Sequence, residues 1–537
     1  MVYTTVTFAP VQGFIEKSRK LRDLYGSSFI LSYLSRAVCD AAKADGHVVI
    51  SPALISVTQG TPNQIVIRGN FSEVAAHEAL LQAWKAVVDI CREEVERRLP
   101  ENSLPSGSRY SWKRVWDAWG NHAWEFFYAQ ANSITAARSH LNETKRSRAW
   151  TGINWHGESS TLSGADAIAW YGMAEKMHPK DSAADQHDKI KEYCELLSKA
   201  LTEEILDPTE QLSIPELIKR VLLLDEVVKT LNRDDYQGKI PKIEAPKSFR
   251  SVNRYDGARW TGWFQGDGDS IGNFLRSLKD AGEDEENALS EFSSAMMEWG
   301  KNFPSFLGEN IGRIIYAGGD DFLGILFRNA PAPALDGQEI LDWFYKFPEI
   351  WQRHKRIDSS GKLLTVSVGL VWAAPNIPQR DILQHCKDAE QAAKRGGRDR
   401  LCLRVLFNGG NYLEWICPWW FLDVMQEYRD RDHKQGQDAN WGHLFEDIAT
   451  LEARHALTHQ SDVSLALFAL YFGDARRQQL ETFLWSKNDK TGILGHDAST
   501  QDETQRLNDW ICNLAKVGFH LHRQKAPINQ PMLSNAV

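Results

Sequence analysis

The chain alternates between short apolar runs with strand character and longer segments whose apolar residues recur every three or four positions. VYTTVTFA (2–9) reads as a strand, and the helical stretch VQGFIEKSRKLRDLYGSSFILSYLSRAVCDAAK (11–43) follows it. HVVIS (47–51) and NQIVIRG (63–69) are short β-branched strands, and FSEVAAHEALLQAWKAVVDICREEVERRL (71–99) is a long amphipathic helix. The order β-α-β-β-α is that of a split βαβ, ferredoxin-like or palm-type unit.

A second stretch repeats this order in a richer form. WTGWFQ (260–265) is a strand, SIGNFLRSL (270–278) and ALSEFSSAMMEWGKNF (288–303) are helical, and RIIYA and FLGILF (313–317, 322–327) make a hairpin. ILDWFYKFPEIWQRH (340–354) is a helix, LLTVSVGLVWA (363–373) a strand, DILQHCKDAEQAAKR (381–395) a helix and LCLRVLF (401–407) a strand. Between the two units, the chain reads as mostly helical, with polar breaks at HGESSTLSGADA (156–167) and PKDSAADQHDK (179–189). The charged, proline-bearing stretch 232–254 reads as a boundary or long linker. The segment after 407 shows little strand pattern, and 524–537 reads as a frayed tail. The expected fold class is α+β. A first palm spans 1–100, an interposed helical domain and linker 101–254, a second palm 255–407 and a C-terminal helical domain 408–537.

The hairpin poses the chemical question. In RIIYAGGDDFLGILF (313–327), Gly318, Gly319, Asp320 and Asp321 sit between two apolar strands. Glycine and aspartate are ordinary turn residues, and a plain hairpin accounts for them alone. A second acidic loop changes the weighing. GDGDS, with Asp267 and Asp269, closes the first strand of the same unit. In a β-α-β-β unit the end of the first strand lies beside the hairpin, so Asp267 falls next to Asp320 and Asp321. Three or four converging carboxylates repel one another unless cations are bound. Two divalent ions about 4 Å apart fit such a cluster and suit phosphoryl transfer. Positive charge for a phosphate is at hand in AAKRGGRDR (392–400), with Lys394, Arg395 and Arg398. Lys394 also stands four residues after Glu390, where the two could simply pair on the helix surface. Ser270, Ile271 and Gly272 open the next helix, whose amides could hold a phosphate, or Ser270 could serve only as an N-cap.

Composition narrows the class without naming it. At 537 residues the chain is too long for one core and suggests about three or four domains. Nothing is long and apolar enough to span a membrane, and MVYTTVTFAPVQGF lacks the charged and apolar regions of a secretory signal. The seven cysteines (39, 91, 194, 386, 402, 417 and 512) form no C-x-x-C pair, which speaks for a reducing, cytoplasmic setting. A net charge of −9 argues against a protein that coats nucleic acid alone. The twenty tryptophans read as packing residues. His187-Asp188 lacks the further ligands of a metal phosphohydrolase, and no P-loop, nucleophile elbow or H-E-x-x-H is present.

With these residues in view, the sequence resembles the large polymerase-cyclase subunit of type III CRISPR effector complexes, closest to the Cmr (type III-B) kind. FAPVQGFIEKSRKLRDLYGSSFILSYLS (8–35) is similar to that family's first-palm signature, QGDGDSIGNFL (265–275) to its metal-binding loop and IYAGGDDFLGIL (315–326) to its cyclase hairpin. Fainter echoes are PNQIVI (62–67), LIKRVL (217–222), SVGL (367–370) and AAKRGGRDR (392–400). The resemblance implies ATP binding between the palms and synthesis of cyclic oligoadenylate on target-RNA binding. It implies two Mg2+ or Mn2+ ions held by Asp267, Asp320 and Asp321, with Asp269 a ligand or a support. Gly318 and Gly319 would admit the nucleotide, Lys394 would meet the triphosphate, and Ser270 and Arg398 would join the nucleotide site. It also implies other effector subunits, guide RNA and target RNA as partners.

The chain departs from the family at three points. It starts at the first palm, so no HD nuclease activity is expected. HGESSTLSGADA lacks cysteine, so no structural zinc is expected. Ser270 stands where an amide side chain is usual. The first palm has APVQGF in place of GDGDS, which suits a nucleotide-holding partner. A scaffold with weak or lost catalysis and a stand-alone cyclase of other base specificity are the competing readings.

Overall fold

The computed structural model describes residues 1–522 except 55, 58–59, 149–154, 156, 176–181, 202–204, 232–258, 281–283, 309–310, 329–331, 359–360, 458–459, 488–489 and 497–502. The expected linker at 232–254 and the tail at 524–537 lie outside the described residues.

The first palm comprises β1 (Tyr3–Ala9), α1 (Val11–Glu16), α2 (Leu21–Ala44), β2 (Val48–Ser51), β3 (Ile65–Arg68), α3 (Glu73–Arg98), α4 (Lys113–His122), β4 (Glu125–Ala131) and α5 (Ile134–Arg146). Its antiparallel sheet has the order β2-β3-β1-β4, the ferredoxin-like arrangement. The strand at its edge, β4, lies beyond residue 100. β4 pairs with the whole of β1, from Tyr3↔Ala131 to Ala9↔Glu125, and alternates buried and half-buried residues as a one-sided strand does.

The expected first helix is two helices. The break at 17–20 is fixed by Asp23, whose carboxylate accepts the amides of Arg19 (3.2 Å) and Lys20 (2.9 Å). Asp23 also receives the guanidinium of Arg220 (Nε–Oδ1 2.7 Å) from α7 (Ile214–Val221), which follows α6 (Ala183–Leu201) and precedes α8 (Asp225–Leu231). Arg220 is fully buried and is shared with Glu210. Beside it, a Cβ on Gly26 would lie 2.2 Å from the Lys219 carbonyl oxygen, so only glycine lets α2 and α7 cross this closely. Two of the sequence stretches singled out above, around Asp23 and at LIKRVL, thus meet in one buried contact. His187 and Asp188 are exposed on α6, a helix where the sequence suggested a break.

The second palm comprises β5 (Thr261–Gly268), α9 (Ile271–Asp280), α10 (Glu285–Asn302), β6 (Gly312–Ala317), β7 (Phe322–Leu326), α11 (Gly337–Gln352), β8 (Val366–Ala373), α12 (Gln379–Arg395), β9 (Arg400–Leu406) and β10 (Tyr412–Pro418). Its six-stranded sheet runs β10-β9-β8-β5-β7-β6. β8 and β9 are parallel, joined by α12, and the other pairs are antiparallel. β10, beyond residue 407, pairs along the length of β9 and is locked by the Arg404–Glu414 ion pair at 2.6 Å. α13 (Gly442–Ala453), α14 (Asp462–Phe472), α15 (Asp474–Thr482) and α16 (Glu503–His522) complete the chain.

A single apolar core joins one face of the second sheet, α10 and α11 to the C-terminal helices. The other face packs on α12 and receives Leu21 and Leu24 of the first palm. Trp84, Trp112, Trp116, Trp263, Trp351, Trp372 and Trp415 are fully buried, in keeping with a packing role. All seven cysteines are buried and free. Among the described residues no helix is long and apolar enough to cross a membrane.

Candidate active site

β5 lies between β7 and β8 at the centre of the sheet, with Gly266 opposite Phe322 and Asp267 opposite Ser367. The Gly268 amide donates to the Asp320 carbonyl at 3.2 Å, and the Gly318 amide to that of Asp321 at 3.1 Å, closing the turn. The end of β5 and the acidic turn are thereby held side by side, which brings Asp267 beside Asp320 and Asp321.

Asp269 points elsewhere. It is 5% exposed, and its two oxygens accept from Ser367 Oγ (2.7 Å), Thr365 Oγ1 (2.9 Å) and the Asp399 amide (2.9 Å). The carboxylate ties the end of β5 to the start of β8 and to the approach of β9. The stretch SVGL begins at Ser367, so it supplies one of these hydroxyls. Ser270 has φ +56°, and its carbonyl accepts the amides of Asn273 (2.8 Å) and Phe274 (3.0 Å), starting α9.

The basic stretch 392–400 divides its work. Lys394 Nζ forms ion pairs with Asp267 and with Glu390, the latter at 2.6 Å. Lys394 thus pairs with Glu390 on its own helix and also reaches Asp267. Arg398 has φ +61° and is exposed. Asp399 supplies the amide that holds Asp269, and Thr491 donates to its side chain at 3.3 Å. Arg400, 1% exposed, donates to the carbonyls of Gly492 (2.9 Å) and Ile493 (3.2 Å). Asp399 and Arg400, not singled out from sequence, anchor the site to the C-terminal region. Their adjacency to the GGR turn was the available signal.

Gly318 and Gly319 face the first palm. A Cβ on Gly318 would lie 3.1 Å from the Gly60 carbonyl carbon and 3.3 Å from the Thr61 nitrogen. Gly319 has φ +111°, a left-handed conformation that suits glycine, and its added Cβ would meet Pro62 at 3.4 Å. These glycines let the acidic turn pack on Gly60–Pro62, so the site stands at the seam between the palms. Asn63 fixes that segment by donating to Thr7 Oγ1 at 3.1 Å, which gives PNQIVI its place.

Desolvation and the nearby Asp267 raise the half-buried Asp320 carboxyl to about 7, and desolvation with Asp267 and Asp320 raises Asp321, exposed at the turn, above the usual carboxylate range. Burial raises Asp269, against the bonds from Ser367, Asp399 and Thr365. Hard carboxylate oxygens crowded enough to hold protons are a donor set that fits divalent cations. As the side chains stand, Lys394 takes up Asp267. Among the described residues no three His, Cys, Asp or Glu side chains are gathered to hold an ion.

Two ferredoxin-like palms, one carrying an acidic hairpin at their seam, define a protein of the polymerase and nucleotidyl-cyclase-like palm class. Residues 261–402 match the second palm domain of Cas10/Cmr2, and residues 3–89 match the N-terminal domain of the CRISPR-associated protein Cmr2. The second palm and the N-terminal domain are thus those of the Cas10/Cmr2 family, as in a Cmr-type large subunit. Its fold is similar to that of a chain in the type III-B Cmr-beta apo structure, with TM-score 0.53 and 12% identity, covering 97% of this chain and 81% of the other. A chain of Cmr-beta bound to cognate target RNA gives TM-score 0.54 and 11% identity, covering 96% and 83%. No curated protein matches the chain in sequence.

Proposed function

We propose that this chain is the catalytic large subunit of a type III CRISPR RNA-guided effector complex, and that it converts ATP to cyclic oligoadenylate when target RNA binds. The observation that carries the reading is the placement of Asp267 beside Asp320 and Asp321 where the acidic turn packs on the first palm, with Lys394 paired to Asp267. A retired scaffold has no need to keep so costly a cluster. The similar Cmr-beta chain bound to cognate target RNA supports an RNA-guided setting with other effector subunits.

In this reading Asp267, Asp320 and Asp321 hold two Mg2+ or Mn2+ ions, which supply Lewis acidity toward the phosphates and the attacking hydroxyl. The 3′-oxygen of one ATP forms a bond to the α-phosphorus of another. The bond to the bridging oxygen breaks, pyrophosphate leaves, and the hydroxyl proton passes to solvent. A final 3′-attack on the chain's own 5′-α-phosphorus closes the ring; the α–β bridging bond breaks, a last pyrophosphate leaves, and the hydroxyl proton again passes to solvent. Asp269 keeps Asp267 in place through the end of β5. Lys394, paired with Asp267 and Glu390, would meet the triphosphate. Ser270 and the exposed Arg398 flank the same loop ends as nucleotide contacts. Gly318 and Gly319 serve the reaction by bringing the first palm against the turn.

The test is turnover of labelled ATP by the purified complex with guide RNA and Mg2+ or Mn2+, with and without cognate target RNA. Products are resolved by mass. Cyclic adenylates that require target RNA are expected. Loss of RNA-dependent product under every metal and nucleotide, with RNA binding intact, would leave the scaffold reading instead.

A further inference from the structure

The first palm contributes more than a wall to the seam. α5 packs on β1 and β4 and reaches the second palm at its N-terminus. There Ile134 joins Leu289 in a small apolar cluster, and the Thr135 amide donates to Glu285 at 2.8 Å. Arg138 stands three and four residues further on, hence on the same helix face.

Its guanidinium is half-buried and makes one long hydrogen bond, 3.4 Å to the Gln64 side-chain oxygen. It makes no ion pair among the described residues. Gln64 follows the Gly60–Asn63 segment that packs on Gly318 and Gly319. Asp320 and Glu285 are the charged groups that face Arg138. A guanidinium paired by neither carboxylate, with most of its donors uncommitted at the edge of an acidic site, is unusual. Its planar fork matches two oxygens of a phosphate.

We propose that Arg138, carried by the first palm, binds the triphosphate of ATP held at the second palm's acidic hairpin. The proposal rests on the nucleotide-site reading above and deepens it. The site then needs both palms for charge as well as for shape. Approach of a polyphosphate gives the guanidinium its missing partner and offsets the carboxylate repulsion that the ligand would otherwise meet.

Binding without turnover separates the possibilities. The full effector complex, with Mg2+ and cognate RNA, is titrated with 3′-deoxy-ATP, inorganic tripolyphosphate and adenosine. Arg138→Met is expected to weaken the first two by about ten- to a hundredfold and to leave adenosine within about twofold. Arg138→Lys, which keeps the charge but not the fork, is expected to fall between. A purely structural role would move all three ligands together, and thermal melting reports any loss of fold. If Arg138→Met melts early, Arg138→Gln, with amide donors still able to reach Gln64, carries the same comparison. Unchanged tripolyphosphate affinity in the variants, with binding intact in the parent, overturns the role of Arg138 and leaves the site reading standing. A parent that binds neither 3′-deoxy-ATP nor tripolyphosphate overturns both.

Discussion

Asp269→Ala removes the one acceptor shared by three segments around the candidate site. Ser367 Oγ, Thr365 Oγ1 and the Asp399 amide lose their partner together. Ser367 is 0% exposed, so water cannot readily replace the carboxylate there. A buried donor left unsatisfied costs about 1–3 kcal/mol. Counting Ser367 and the Asp399 amide in full and Thr365 in small part gives roughly 3–5 kcal/mol. Relief of the buried charge offsets part of this, so about 3 kcal/mol is expected. Asp269→Asn keeps one acceptor but turns an amide donor toward the others, and about 2 kcal/mol is expected. The second palm should unfold at lower urea. Turnover should fall about ten- to a hundredfold, because Asp267 stands two residues back on the loosened strand end and small misplacements are costly. The Mn2+ concentration for half-maximal binding should rise by roughly tenfold in step with the lost stability, since Asp269 acts on the site through the strand end it braces. Unchanged urea stability together with a tenfold or larger shift in Mn2+ half-saturation would refute the bracing role and make Asp269 a ligand.

Three further outcomes follow from the same structure. Asp23→Ala leaves the fully buried Arg220 paired with Glu210 alone, so the cost should be roughly 2–3 kcal/mol, below the about 3–5 kcal/mol of a wholly unpaired buried charge; adding Arg220→Met should recover part of this in urea unfolding, and a double variant no better than the single would contradict the pairing. Because burial and Asp267 raise Asp320 to about 7, the metal-free fold should lose stability as pH rises from the ordinary carboxylate range toward 7, and Mn2+ affinity should rise over the same window by up to about tenfold per unit. A pH-independent Mn2+ affinity between 5 and 8 (about the range spanned by that proton) would count against it. Gly318→Val should separate the turn from Gly60 and Thr61, weakening ATP binding while the Asp267 register survives; wild-type ATP binding would show that the seam is not part of the site.

The sequence carried the site's main geometry because local rules were enough for it. An acidic strand end and an acidic hairpin become neighbours in any β-α-β-β unit, and β5–β7 pairing delivers that. What remained hidden depends on contacts distant in the chain. Asp269 and Asp267 look equivalent in GDGDS, and only the arrival of Ser367 and the Asp399 amide commits Asp269 to hydrogen bonds within the fold. Arg138 lies in a segment read as helical filler, because β4 before it is one short strand whose partner is at the N-terminus. β10 was missed for a different reason. The turn Asn408–Asn411 continues the sheet by a hairpin, where a change of domain had been expected. LIKRVL and SVGL gained meaning only through Asp23 and Asp269, their partners in space.

The central claim is that Asp267, Asp320 and Asp321 form one metal-nucleotide site, and the measurement that tests it most directly is Mn2+ binding followed by electron paramagnetic resonance. The complex is titrated in the presence of a non-hydrolysable ATP analogue, beside an Asp320→Ala, Asp321→Ala double variant. The account predicts two nucleotide-dependent, magnetically coupled ions in the parent and their loss in the variant. Equal Mn2+ binding in both would contradict it.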